Sequence, residues 1–63
     1  MMDVMEAVFK KQDWLYEQND KSIEIKAAMM WGALSVACHC GKIDWDAQRR
    51  LFGEFMSHQM GLR

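Results

Sequence analysis

The sequence predicts an all-α fold, a helical hairpin plus a third helix forming a small three-helix bundle, homodimeric through its central helix. Three observations lead there. Residues 27–40 read AAMMWGALSVACHC, without a charge or a proline. The segments on either side carry apolar residues at helical spacing, with charges on the opposite side. The chain has only 63 residues, enough for one domain whose core is marginal unless a disulfide, a metal or a partner supplements it. The expected helices cover residues 3–18, 22–40 and 44–60.

In the first segment Met5, Val8, Gln12 and Leu15 keep a 3-4-3 spacing, and Phe9 and Tyr16 widen the stripe. Lys10, Lys11, Asp13 and Glu17 fall mainly opposite. Asp3 is placed to cap the helix or to complement its positive N-terminus. Trp14 lies where the two faces meet; it packs inward beside Ala7 or stands on the rim as an interface anchor, with partial burial the expectation for aromatics at helical spacing.

Residues 19–22, Asn-Asp-Lys-Ser, break the pattern. Asn19 tolerates the left-handed conformation that ends helices, and Asp20 or Ser22 suits the next N-cap. So short a connection makes the first two helices an antiparallel hairpin.

The second helix carries two apolar stripes. Ile23, Ala27, Met30, Leu34 and Ala37 form one; Ile25, Ala28 or Met29, Gly32 and Val36 form the other. A helix apolar on more than one face needs cover on more than one face. Gly32 costs the helix about 1 kcal/mol relative to alanine, a sacrifice that fits close approach by another backbone. Either a second copy of this helix or a helix of the same chain would supply it.

Gly41 suits the left-handed position after the helix, and Asp44 opens the third helix as its N-cap, with Asp46 adding charge to the first turn. Trp45, Leu51, Phe52, Phe55 and Met56 form its apolar stripe, extended by Gln48 and Gln59. Asp46, Arg49, Arg50 and Glu54 occupy the outer side, where Asp46 and Arg50 are spaced for a favourable pair. Gly61 marks the end and Leu62-Arg63 the tail.

Composition narrows the function. The chain is 51% hydrophobic with seven Met and three Trp, rich for a small monomer and suited to surfaces that accept partners. Its net charge of −1, with both signs interleaved, opposes nucleic-acid binding, which needs a clustered basic face. The apolar run is shorter than the roughly 20 residues of a membrane span, and no basic-then-apolar leader opens the chain. Cys38 and Cys40 are too close in sequence to staple distant parts of the fold, so a reducing, cytoplasmic setting is expected.

Each candidate site has a plain structural counterpart. Cys38, Cys40 and His58 are possible zinc ligands by type, but a helix turns the two cysteines about 200° apart, and ordinary packing is the simpler role. A cysteine–histidine nucleophile lacks a glycine-rich oxyanion loop and a pocket. Gln48, Arg49 and Arg50 would lead a helix into a DNA groove, against Asp44, Asp46 and Glu54 on the same helix. Trp14, Tyr16, Trp31, Trp45 and Phe52, with the Ala28–Gly32 face, are the candidates for a protein interface. No cofactor or small-molecule substrate is expected.

The expected function is therefore a non-catalytic protein-binding module that blocks or modulates a partner through helix-face contacts. In its economy of size the chain resembles the very small inhibitors and adaptors made by phages and mobile elements. A dimeric DNA-binding transcriptional regulator is the alternative, and a zinc-stabilised helical module the second.

Overall fold

The computed structural model describes residues 3–61 as three helices, with no strand among them: α1 (Val4–Tyr16), α2 (Ile23–His39) and α3 (Trp45–Gln59). Leu62 and Arg63, read from the sequence as a tail, lie outside the described residues. Each helix starts where a local signal starts it. Ser22 Oγ accepts from the Ile25 N–H at 3.3 Å, and Asp44 Oδ1 from the Ala47 N–H at 2.7 Å, each satisfying a donor that has no partner within its own helix. Asp3 holds the N-cap position of α1 without bonding its backbone. Its carboxylate instead lies 3.7 Å from Lys42 Nζ, linking the start of α1 to the turn after α2.

The helix ends differ from one another. Gly41 has φ 76°, and the Lys42 and Gly41 N–H groups donate to the carbonyls of Ala37 and Cys38 at 3.0 Å. That paired arrangement closes α2 and needs a left-handed residue, which glycine adopts without steric cost. Asn19 does not do the same for α1, since no residue but glycine has positive φ among those described. There the last turn tightens instead, with Glu17 N–H donating to Trp14 O and Gln18 N–H to Leu15 O.

The core lies where the three helices meet. Val8 and Leu15 from α1, Met30, Leu34 and Ala37 from α2, and Phe55 from α3 are its buried apolar members. α2 is the centre: it packs on α1 along one flank and on α3 along the other, while α1 and α3 meet far less. Tyr16 bridges that gap by stacking on Phe55, ring centroids 5.4 Å apart, and on His58 at 3.9 Å. Burial pushes the Tyr16 phenol above its ordinary value, and the carboxylates of Asp13 and Glu54 push the same way.

Two polar groups join the core, each with a partner. Gln48 is 2% exposed, and its Nε2 donates to Ser35 Oγ at 3.0 Å. Lys26, 8% exposed, donates from Nζ to Gln59 Oε1 at 3.1 Å. Among the described residues no buried side-chain polar atom lacks a partner, as a small core requires. The Asp46–Arg50 pair does not close to ion-pair distance; the ion pairs among the described residues are Asp3–Lys42 and Asp20–Lys21.

The caps give a direct comparison. Asp44→Ala should lower stability by about 1 kcal/mol, whereas Asp3→Ala, which removes only an exposed ion pair, should cost less than about 0.5 kcal/mol. Urea unfolding of the two variants followed by circular dichroism checks the difference.

Candidate protein interface

In a small helical bundle every helix turns part of its surface outward. α1 and α3 place charges there: Glu6, Lys10 and Asp13 are exposed on the first, and Asp46, Arg49, Arg50 and Glu54 on the third. α2 does not. Ile25, Ala28, Gly32 and Val36 lie on its outward side and all are exposed, Ile25 by 52% and Val36 by 57%. Their spacing is that of one helical face, opposite Met30, Leu34 and Ala37 in the core. The only acidic or basic side chains within α2, apart from His39, are Glu24 and Lys26, and Lys26 is turned inward.

Gly32 stands in the middle of this face, and a Cβ built on it would meet no atom within 4 Å. The close approach that the sequence suggests is therefore not made by α1 or α3. Of the two expected sources of that approach, the helix of the same chain is excluded.

The face continues sideways into a groove of about 360 Å³ between α1 and α2. Val4, Ala7 and Val8 line it from α1, Ala33 and Val36 from α2, with Asp3 and Lys11 beside them. Val36 belongs to both features, so the outward stripe and the groove form one apolar surface. Sequence reasoning picked Ala28 and Gly32 as interface residues and passed over Ile25, Val36 and the groove. The same stripe spacing that holds Gly32 contains Ile25 and Val36, but only packing of α1 beside Ala33 creates the groove.

The aromatic candidates divide. Trp14 is 41% exposed, on the rim and not in the partly buried position expected of it; the ammonium groups of Lys11 and Lys21 lie 4.8 and 5.4 Å from its ring centroid. Tyr16 is taken up by its stacks on Phe55 and His58. Trp31 turns toward α3, meeting the rings of Trp45 and Phe52 edge-on at 5.6 and 5.0 Å, a favourable arrangement of ring quadrupoles. Phe52 is partly buried there. Trp45 leaves the apolar stripe for solvent, 56% exposed, as does Phe9 on α1.

The other candidates do not converge. Cys38 is half-buried and Cys40 exposed, both as free thiols at the end of α2. His58 lies near the end of α3, beside the start of α2, where the neighbouring Gln59 bonds Lys26. Twelve residues separate Cys38 from Lys26 along α2, roughly 18 Å of helix, so the two cysteines and His58 cannot share one metal ion or one catalytic site. No cluster of three His, Cys, Asp or Glu side chains able to hold a metal occurs among the described residues. For the groove-reading helix, Gln48 is committed to Ser35 inside the core, and Arg49 and Arg50 remain outside beside Asp46 and Glu54. No described helix is long and apolar enough to cross a membrane.

Comparison of the chain with protein-family models, curated proteins and solved structures finds no match.

Proposed function

We propose that this chain is a non-catalytic protein-binding module that pairs with a second copy through the outward face of α2 and, as that homodimer, acts as a small inhibitor or adaptor toward another protein. One observation carries the reading: Ile25, Ala28, Gly32 and Val36 form an uncharged, exposed helix face that nothing else among the described residues covers. Burial of apolar area drives association at about 25 cal/mol per Å² removed from water, and patches of this kind mark interaction sites in small proteins. The glycine adds a reason for a helical partner, because without a side chain at position 32 two backbones approach within the usual 8–10 Å helix separation. Free thiols at Cys38 and Cys40 suit the reducing cytoplasm. The regulator reading loses its leading contact with Gln48 inside the core, and the zinc reading its donor set.

Two measurements test this. Gly32→Leu has open space on its own chain and improves helix propensity by roughly 0.8–1 kcal/mol, so it should raise the stability of an isolated monomer. On the proposed interface it inserts a bulky side chain where backbones meet, and dimerisation measured by sedimentation should weaken by tenfold or more. A variant that is more stable and still fully dimeric contradicts the close packing.

Capture from a lysate tests the second partner. The tagged chain should retain a defined protein at high salt, since apolar contacts respond weakly to ionic strength, and lose it on Val36→Asp, which breaks the dimer that presents the binding surface. Retention of nucleic acid that salt releases, indifferent to Val36→Asp, contradicts the reading.

A further inference from the structure

We infer that the second copy lies antiparallel across α2, with a two-fold axis passing beside Gly32 and with Met29 of each copy seated in the α1/α2 groove of the other. The inference rests on the reading of α2 as a self-association face and supplies its geometry.

The row of small residues sets the crossing. Ala28, Gly32 and Val36 follow one another at i, i+4 with the smallest in the middle, and such rows interdigitate when two helices cross at about −50°. Closest approach then falls at Gly32, where a Cβ would find nothing of its own chain within 4 Å.

Charge sets the direction. α2 carries Glu24 in its first turn and His39 in its last. An antiparallel pair brings the acidic end of one copy toward the basic end of the other and opposes the two helix dipoles. A parallel pair brings like ends together.

The groove sets the register. Around a two-fold axis at Gly32, positions equally far before and after it face one another, so Ala28 meets Val36. Met29, three residues before, falls level with Ser35. An antiparallel two-fold also keeps the α1 flank of one copy on the α1 flank of the other. Met29 sits on that flank, half-buried at the edge of the core, and so stands over the groove where Ala33 and Val36 form its wall. An unbranched thioether suits an irregular apolar recess of about 360 Å³. A stable interface covers roughly 800 Å² per partner, and the groove adds contact to the outward face of this 17-residue helix.

Sedimentation of the wild-type chain comes first; a monomer overturns both the dimer and its geometry. Disulfide cross-linking then fixes the direction, with Cys38 and Cys40 replaced by serine and two variants, Ala28→Cys and Val36→Cys, mixed and oxidised. The antiparallel pair predicts the mixed product almost alone, because two Ala28 positions stand about 12 Å apart along the axes, beyond the roughly 7 Å that a disulfide spans. Self-linked Ala28→Cys would overturn the antiparallel geometry and leave self-association through α2 standing. A sample that sediments as a dimer without either product would show that α2 is not the interface, overturning both. Met29→Ala should weaken dimerisation roughly tenfold; an unchanged Kd would remove Met29 from the groove.

Discussion

One helix with two apolar sides governs this molecule. α2 offers Met30, Leu34 and Ala37 to one side and Ile25, Gly32 and Val36 to the other, and the described residues supply two further helices with which to cover it. Both pack toward the first side. Each is joined to α2 by a short turn and has a single apolar stripe, and Tyr16 closes the seam between them by stacking on Phe55 and His58. The uncovered side of α2 follows directly from that shortage.

The same shortage organises the polar groups. With so few apolar side chains in the core, Gln48 and Lys26 complete it, and each is tolerable because a partner on a neighbouring helix takes its hydrogen. Those two bonds join α2 to α3 at both ends of their contact, where apolar packing alone would leave the register of one helix on the other weakly fixed. The turn between them is held by glycine at position 41 and by the Asp44 cap, and Asp3 reaches across to Lys42. The outward face of α2 thus stands on a scaffold whose buried groups are all partnered among the described residues.

Much of this was legible in the sequence. The three helices, the Asp44 cap, the left-handed Gly41 and both stripes of α2 follow from period and turn chemistry, because those signals are local. Long-range choices were not. Period alone assigned Gln48 both to the core stripe of α3 and to a DNA-reading edge, and only Ser35 across the helix contact decides between them. It set Trp45 and Phe9 inside their stripes, whereas a core this small has room for Phe55 and little else of that size. It could not place His58, because the antiparallel run of α3 carries that residue to the far end from Cys38 and Cys40. Gly32 was the informative case: its cost to the helix signalled close approach, and neither α1 nor α3 makes that approach.

The central claim, that the outward face of α2 is covered by a second copy, has a simple thermodynamic consequence. If folding is coupled to dimerisation, the melting temperature depends on protein concentration by mass action. Thermal unfolding of the wild-type chain over a hundredfold range of concentration is therefore the most direct measurement. A Tm that climbs steadily with concentration is what this account predicts. A Tm that stays constant across the range would mean that the chain folds alone with its apolar face in water, and would contradict it.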